Sequence, residues 1–319
     1  MQRVTSADVA RRAGVSRATV SYVLNDTPGQ SISPGTRSRV LAAAAGLGYA
    51  PSAAARALRT GRSDVVLCLL PDWPIGDAVG ELLGNLSTEL ARAGRTFVVH
   101  PGSPADRPVA ELWKAITPAA VLAFAGFSGD ELDAMRAAGV ALVVALLDPP
   151  GELIPQQPAG RRQAEHLTRA GHRRLGYAYP DDDRLRIFAE PRLAGVRAHT
   201  ATEPHVQTVP LDPAAAAEAV RRWHAAGITG VCAYNDQVAL AVLAGVRRAG
   251  LSAPGDLAVI GVDDIPAARL AVPALTTVTT DQRRLAAHLA ATVLAAAGGR
   301  PGPPPPGDDL VRVIVRDSV

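Results

Sequence analysis

The sequence predicts an α/β protein in which a small all-α head precedes a larger core of parallel β-sheets. The first 62 residues contain only short helical patterns, whereas from Arg62 onward apolar runs of strand length alternate with helical stretches. Residues 1–62 have nine arginines against Asp8 and Asp26, a net charge of +7, and the other 257 residues carry −4. A basic head on a mildly acidic remainder is typical of polyanion binding, although charge alone leaves a solvated basic surface as an alternative.

Composition excludes several classes of protein. With 319 residues, of which 48% are hydrophobic, the chain can bury a sizeable core without disulfides or a structural metal. Cys68 and Cys232 each lie in an apolar run of strand length, which predicts two unpaired core thiols in a reducing compartment. The N-terminus lacks the apolar segment of a secretory signal, and uncharged stretches such as 115–129 are shorter than the roughly 20 residues of a spanning helix. We therefore expect a cytoplasmic protein with no membrane partner.

The head begins with two short helices joined by a tight turn. Thr5 and Asp8 have the spacing of a capping box, which predicts a helix start. Gly14 ends this helix because glycine accepts the positive φ of a sharp turn. Ser16 then caps a second helix, Arg17–Asn25. Two such helices at this spacing predict a helix-turn-helix.

Two further helical patterns complete the head. Ser33 is a predicted N-cap with Pro34 at the first helical position, and Gly48 ends this third helix. The alanine-rich segment Ser52–Arg59 has a short helical pattern after Pro51. Since isolated helices below about 12–15 residues are marginal in water, we expect this segment to order only when it is docked.

Two sets of alternating strands and helices predict the core. The first set has strands at Asp64–Leu70, Arg95–His100, Ala119–Ala125 and Val140–Leu147, with helices at Gly76–Ala93, Pro104–Ala115 and Gly129–Ala138. The second set has strands at Arg174–Tyr179, Val206–Val209, Gly230–Tyr234 and Leu257–Val262, with helices beginning near Gly160, Glu190, Pro213 and Asp236. Nearly continuous apolar strands separated by helices indicate parallel sheets that are covered on both faces.

The two sets predict two lobes joined by Pro149–Gln157, with a ligand cleft at the carboxyl ends of the strands. The chain is expected to return to the first lobe near Val278 for a helix at Asp281–Ala297. It would then cross again through the proline-rich loop Pro301–Gly307 to a last strand, Leu310–Val315.

Two segments of the head carry a specific resemblance. Residues 4–25, VTSADVARRAGVSRATVSYVLN, and residues 33–63, SPGTRSRVLAAAAGLGYAPSAAARALRTGRS, resemble the DNA-binding head and hinge helix of the lactose-repressor (LacI/GalR) family. The resemblance implies that Arg17 and Ala18 face base edges in the major groove, with Tyr22 one turn later. Many relatives have arginine at the position of Tyr22. Residues implied to contact phosphates or to cap helices are Thr5, Ser16, Thr19, Ser21, Asn25 and Thr36.

The same resemblance assigns the hinge. It implies that Leu58 wedges between base pairs from the minor groove, and that Ala55, Arg56 and Arg59 contact DNA on the same element. The alternative for Leu58 is an ordinary apolar residue of a linker helix. The predicted domains are a helix-turn-helix domain at 1–50, a hinge helix and linker at 51–62, and an effector-binding and dimerisation core at 63–319.

The core carries the resemblance further. The segments AEHLTRAGHRRLGY, CAYNDQVALAVLAGVRRAGLSAPGDLAVIGVDD and VIVRDS are similar to those of the same family, whose cores have the two-lobed type I periplasmic-binding-protein-like fold of parallel sheets. This implies a first lobe at about 63–155 and 278–300, and a second lobe at about 156–277 and 308–319.

The resemblance also points to candidate effector residues in the core. They are Arg192, Asn235 and Asp263, with Asp236 beside them, Asp148 in the first lobe, and Asp72, Trp73 and Phe124 as further candidates. Arginine and aspartate suit charge-assisted bonds to hydroxyls or anionic groups. For Asp236 and Asp263 the alternative is helix capping and turn formation. Where relatives usually have an aspartate that opens the crossover helix, this chain reads Gln156-Gln157-Pro158-Ala159-Gly160, so a cleft of altered chemistry or one no longer used stays open.

The leading hypothesis is a sequence-specific transcriptional regulator, most often a repressor in this family. It would bind a pseudo-palindromic double-stranded DNA operator as a homodimer and respond to a small-molecule effector, a sugar or related metabolite. The alternatives are a plain solute-binding protein and an α/β enzyme. Catalytic motifs are missing from the sequence, and the seven histidines lack metal-ligand spacing, so we expect no enzyme activity, cofactor or metal.

Overall fold

The computed structural model describes residues 4–25, 27, 29–49, 63–101, 113, 116–140, 142–147, 153–154 and 156–319. The chain divides into two compact units, Met1–Asp64 and Val65–Val319. The predicted hinge at 51–62, most of the predicted helix Pro104–Ala115 and the interlobe residues 148–152 lie outside the described residues.

The head contains three helices, α1 (Ser6–Ala13), α2 (Arg17–Leu24) and α3 (Pro34–Leu47). Their predicted caps are present: Gly14 has φ 66°, and the side chain of Ser16 accepts a hydrogen bond from the Thr19 amide at 3.0 Å. Ser33 caps α3 in the same way. The apolar residues that join the three helices are Val9, Ala10, Ala13, Val20, Val23, Val40, Ala43 and Ala44.

The first sheet of the core has the strand order β2-β1-β3-β4, and all its strands are parallel. The strands are β1 (Val65–Leu70), β2 (Thr96–Pro101), β3 (Ala120–Ala123) and β4 (Leu142–Ala145). The helices of this part are α4 (Asp77–Arg92) and α5 (Gly129–Ala137). Near-continuous burial of β1 and β3 fits a sheet that is covered on both faces.

The second sheet has the order β10-β9-β8-β7-β5-β6. Its strands are β5 (Leu175–Pro180), β6 (His205–Val209), β7 (Gly230–Ala233), β8 (Ala258–Val262), β9 (Thr276–Thr280) and β10 (Val311–Ile314). Its helices are α6 (Gln157–Arg169), α7 (Arg186–His199), α8 (Pro213–Ala225) and α9 (Asp236–Arg248). The strands are parallel except β10, which is antiparallel to β9, so the expectation of parallel sheets needs this correction at the last strand.

The chain leaves the second sheet later than predicted. Val278 lies inside β9 and pairs with Val262, because Thr276, Thr277 and Val278 are all buried against β8. The last helix, α10 (Gln282–Ala297), then packs against α4. We call the first sheet with α4, α5 and α10 the first lobe, and the second sheet with α6 to α9 the second lobe.

Two helices of the second lobe begin earlier than predicted. α7 starts at Arg186 rather than near Glu190, because a 3-10 turn, Asp183–Leu185, leads directly into it. Pro191 therefore lies inside this helix. α6 starts at Gln157 rather than near Gly160, with proline in its first turn.

Both cysteines are unpaired and fully buried, as predicted. Burial raises the pKa of Cys68 to about 12 and that of Cys232 further, so neither thiol is ionised near neutral pH. Within the described ranges, no helix has the length and apolar character needed to cross a membrane. The same residues contain no group of three His, Cys, Asp or Glu side chains arranged to hold a metal ion.

Candidate nucleic-acid interface and effector cleft

The outward face of α2 is the candidate nucleic-acid interface. Arg17 and Ala18 occupy its first two positions and are exposed, and Tyr22 is half-buried one turn later. Val20 and Val23 are buried on the opposite side of the helix. At 100° per residue the exposed and buried sets fall on different faces, so packing of the valines turns the arginine outward.

The polar residues predicted around this face take part in the local fold. Asp8 accepts hydrogen bonds from the amide and hydroxyl of Thr5 at 2.9 and 2.7 Å. The Asn25 side chain donates to the carbonyl of Ser21 at 2.7 Å, which closes the end of α2. Ser16, Thr19 and Thr36 belong to the capping contacts at the starts of α2 and α3. These contacts fit the capping half of the expectation, and the phosphate contacts stay a prediction.

The hinge residues lie outside the described part of the chain. These are Ala55, Arg56, Leu58 and Arg59, so the minor-groove wedge stays a prediction. The described head adds exposed arginines away from α2, among them Arg11, whose side chain is 79% exposed beside Asp8. Charge on such residues attracts a polyanion without reading its sequence.

The second candidate site is a cavity of about 100 Å³ between the lobes of the core. Residues after β1 line one side, and α7 with the carboxyl ends of β7 and β8 lines the other. Four of the predicted effector residues line it, namely Trp73, Arg192, Asn235 and Asp263. Asp148 lies outside the described residues.

The other predicted effector residues lie beside the cavity rather than in its lining. Asp72 lies at the mouth and contacts Arg184, and Phe124 is buried behind Trp73. Asp236 is fully buried, where it accepts hydrogen bonds from the Thr277 hydroxyl at 2.5 Å and the Ile265 amide at 2.9 Å. Burial raises its pKa to about 7. This geometry favours the structural alternative for Asp236.

Arg192 is the polar centre of the cleft. Its Nε donates to Gln156 Oε1 at 2.9 Å, and Nη1 donates to the Tyr234 carbonyl at 2.8 Å. Nη2 lies 3.5 Å from Asp263 Oδ1, and the guanidinium stacks 5.1 Å from the centre of the Tyr234 ring. A buried arginine held at three nitrogens keeps a fixed orientation toward the cleft.

Gln156 is the cleft-related residue whose role the sequence did not assign. It belongs to the segment 156–160, which departs from the pattern of relatives. In the structure its Oε1 accepts a hydrogen bond from buried Arg192, and its own amide donates to the Ile154 carbonyl at 3.1 Å. Two glycines bring its helix close to α7. A Cβ on Gly160 would lie 1.8 Å from the Arg192 carbonyl oxygen, and one on Gly195 would lie 2.1 Å from the Gln157 carbonyl. The glycine contact between α6 and α7 therefore lets Gln156 reach Arg192.

Backbone geometry directs Asp263 into the cleft. Asp263 has φ 112° and Asp264 has φ 54°, both rare for residues other than glycine. Arg316 holds this turn by contacting the Asp264 carboxylate and donating to the Leu275 carbonyl at 2.8 Å. Burial raises the pKa of Asp263, and the nearby guanidinium of Arg192 opposes that rise. Strain of this kind persists where surrounding contacts fix the chain, as they do here.

Aromatic rings form the apolar wall. Trp73 packs edge-on against Phe124, with ring centres 5.2 Å apart, and against Phe188 at 4.6 Å. Phe188 precedes Arg192 by four residues in α7, and both line the cavity. The sequence did not single out Phe188, although the i,i+4 spacing to Arg192 was an available signal.

Two family models match the chain. Residues 5–52 match bacterial regulatory proteins, lacI family, and residues 164–319 match the periplasmic binding protein-like domain. The chain is 31% identical over 293 residues to the HTH-type transcriptional regulator GalS of Salmonella typhimurium, covering 86% of this chain and 84% of GalS. It is 30% identical over 298 residues to the HTH-type transcriptional regulator MalR of Streptomyces coelicolor, covering 85% and 84%.

Solved structures have a similar fold. A lac repressor dimer bound to operator and the anti-inducer ONPF matches with a TM-score of 0.75, at 23% identity over 99% of both chains. A complex of the transcriptional regulator CelR with cellobiose matches with a TM-score of 0.61, at 25% identity over 99% of this chain and 100% of the other.

Proposed function

The chain belongs to the lacI family of bacterial regulatory proteins, which are DNA-binding transcriptional regulators, and we propose that it represses genes by binding a pseudo-palindromic operator as a homodimer. In this proposal a small molecule in the cleft modulates the affinity for DNA. The relatives are transcriptional regulators rather than enzymes. Because a bacterial regulator that binds DNA acts where the DNA is, we expect the protein to act in the cytoplasm.

The outward face of α2 is the observation that supports this proposal most directly. A helix whose apolar side packs in the head, and whose first residue is an exposed arginine, suits insertion into the major groove. Arg17 can make two hydrogen bonds to one guanine, and the Tyr22 hydroxyl can donate or accept one. Ala18 offers only a methyl group, so base discrimination would rest on Arg17 and Tyr22.

A binding-site selection with the full chain and random duplexes tests the proposal. We expect a symmetric consensus, and on it Arg17→Ala should lose about 5- to 150-fold in affinity with relaxed preference at one base pair per half-site. Arg11→Ala is the matched control, since Arg11 is an exposed arginine outside α2. It should weaken binding to all sequences alike. An unchanged base preference in Arg17→Ala would refute the assignment of α2.

The proposed domain plan keeps a helix-turn-helix domain at 1–50, a hinge at 51–62 and the core at 63–319. In this plan Leu58 wedges into the centre of the operator, with Arg56 and Arg59 on phosphates. We expect Leu58→Ala to weaken specific binding far more than binding to random DNA, because a wedge acts only where the duplex bends to admit it. Equal losses of affinity for operator and for random DNA would refute the wedge role of Leu58.

We propose a polar, hydroxyl-bearing effector, a sugar or related metabolite, for the cleft. An arginine beside an aspartate offers donors and an acceptor to hydroxyl groups, and the rings of Trp73, Phe188 and Tyr234 suit an apolar face. CelR, a relative by structure, was solved with cellobiose, which is consistent with this class of ligand.

Calorimetry of the full chain with a panel of neutral sugars and sugar acids tests the effector class. We expect at least one compound to bind and to change operator affinity, and Asp263→Asn to weaken that binding. Asp181→Asn, on a residue outside the cavity lining, is the matched control and should bind normally. A compound that binds equally well to Asp263→Asn would refute the assigned cleft.

A further inference from the structure

One side chain connects the two lobes through the centre of the cleft. Trp73 follows β1 in the first lobe, yet its ring packs 4.6 Å from the ring of Phe188, which belongs to α7 of the second lobe. On its own lobe it contacts Phe124 at 5.2 Å. Trp73 is only 6% exposed although it lines the cavity. The ring therefore occupies space that a cleft between two lobes would otherwise offer to a ligand.

The indole of Trp73 is incompletely satisfied in this position. Its Nε1 is buried and has no hydrogen-bond partner among the residues that the structure describes. A buried donor without a partner costs free energy, and tryptophan usually finds one when it is buried. Ring packing therefore holds Trp73 in the cleft at the expense of a lost hydrogen bond, and this penalty is relieved when the indole leaves.

An ion pair crosses the mouth of the cleft beside this ring. Asp72 Oδ1, in the first lobe, lies 3.6 Å from Nη1 of Arg184 in the second. Asp182 orients that guanidinium, since its carboxylate accepts from Arg184 Nε at 2.9 Å and from Nη2 at 2.7 Å. Because Arg184 is fixed on its own lobe, its contact with Asp72 restrains the lobes rather than one flexible side chain.

The remaining cavity is small. Its volume of about 100 Å³ is below the ~300–1,000 Å³ of ordinary small-molecule pockets. A ligand with the size of a sugar ring gains room in the cleft when the ring of Trp73 moves, because that ring lines the cavity. Once it moves, the packing of Trp73 on Phe188 is lost and the contact between the lobes weakens.

We propose that Trp73, supported by the Asp72–Arg184 ion pair, is an interlobe clasp that occupies the cleft until an effector displaces its ring. This inference rests on the proposed function, because it describes how the effector cleft is regulated. Ligand and clasp then compete for one space. The apparent affinity for an effector is reduced by the fraction of molecules whose clasp is closed, and effector binding shifts the lobes toward the unclasped state.

Distances between spin labels on the two lobes of the full chain test the clasp. Asp130→Cys in α5 and Glu218→Cys in α8 provide exposed sites, and the native Cys68 and Cys232 are buried. Labelled chains are diluted into unlabelled chains so that only distances within one chain count. We expect the unmodified clasp to give one narrow distance distribution without any ligand.

The first variants remove the ring. Trp73→Ala and Trp73→Gly should give a longer mean distance and a broader distribution than the parent. Free indole is the probe, because it matches the deleted ring in shape. Millimolar indole should restore the narrow distribution in Trp73→Gly and should leave Trp73→Ala less affected. Parent-like distances in both variants would overturn the proposal.

A second pair of variants keeps the test valid if the tryptophan variants do not fold. Arg184→Gln removes the exposed ion pair without a cavity, and we expect a smaller shift in the same direction. Arg186→Gln is the matched control, because its contact with Glu190 lies within the second lobe, and it should leave the distances unchanged. Parent-like distances in Arg184→Gln, when no tryptophan variant folds, would overturn the clasp.

Operator binding separates this proposal from the function on which it rests. If the parent chain selects no DNA sequence, the proposed function fails, whatever the label distances are. If the parent binds a selected operator but the clasp variants have the same label distances as the parent, only the clasp proposal fails. If the distances change as expected, operator affinity of Trp73→Ala without effector should move in the direction that effector moves the parent.

Discussion

Asp236 should make the stability of the core depend on pH in an unusual direction. The carboxyl is fully buried at the start of α9, beside Asp263, and two hydrogen bonds from Thr277 and Ile265 do not offset its desolvation. Burial raises its pKa from 3.8 to about 7. The perturbation is Asp236→Asn, which resembles the protonated carboxyl in shape and polarity but does not titrate.

The direction of this pH dependence follows from the tighter binding of the Asp236 proton in the folded chain than in the unfolded chain. In the unfolded chain Asp236 titrates near its ordinary pKa, whereas the folded chain keeps the proton to about pH 7. The stability contributed by this proton is fully present below about pH 4 and is lost as the pH rises to about 7. A difference of about three pKa units corresponds to roughly 4 kcal/mol, an upper value for a buried group.

Chemical denaturation of parent and Asp236→Asn from about pH 4.5 to pH 8 measures this effect. We expect the difference in unfolding free energy to move by up to roughly 4 kcal/mol in favour of the variant as the pH rises, because all other titrating groups are shared. Asp130→Asn, an exposed position in α5, should show no such trend. A difference between Asp236→Asn and parent that is constant with pH would refute the reasoning.

Three further predictions concern packing, the buried arginine and salt. Gln156→Leu leaves the Arg192 Nε without its acceptor, so thermal denaturation should show a loss of about 1.5–3 kcal/mol, whereas Gln157→Leu, on the exposed neighbour, should be near neutral. Gly160→Ala places a Cβ 1.8 Å from the Arg192 carbonyl oxygen, so it should lower the free energy of unfolding by about 3 kcal/mol or prevent folding. Gly84→Ala is the control, because its added Cβ has nothing within 4 Å, and it should raise the free energy of unfolding by about 0.5–1 kcal/mol. If a dimer neutralises about six phosphates, operator affinity measured from 50 to 200 mM salt should fall about 10³-fold, and a flat profile would contradict the role of the basic head.

Local chemistry explains which elements the sequence predicts well. The caps at Ser16 and Ser33 and the turn at Gly14 depend on residues within four positions, and the structure has them as expected. Apolar strands such as β1 and β8 could also be predicted from the sequence, because a strand that is buried along most of its length has a nearly continuous apolar run. Turn residues and runs of this kind encode the order of elements and hence the fold class.

Contacts between distant segments explain what the sequence does not predict. The Trp73–Phe188 packing and the Gln156–Arg192 hydrogen bond join residues that are far apart in the chain, so no spacing reports them. The chain also leaves the second sheet later than the sequence predicts, because residues up to Val278 pair with β8 as part of β9. Roles assigned to Asp148 and Leu58 stay predictions from the resemblance, since both lie outside the described residues.

Binding of the full chain to its selected operator, compared with the same duplex after one half-site is scrambled, tests the central claim most directly. A homodimer that reads two half-sites should lose about 10³-fold or more in affinity at fixed salt, and approach its binding to random DNA. Equal affinity for the intact, scrambled and random duplexes would contradict a sequence-specific regulator and leave only a basic surface.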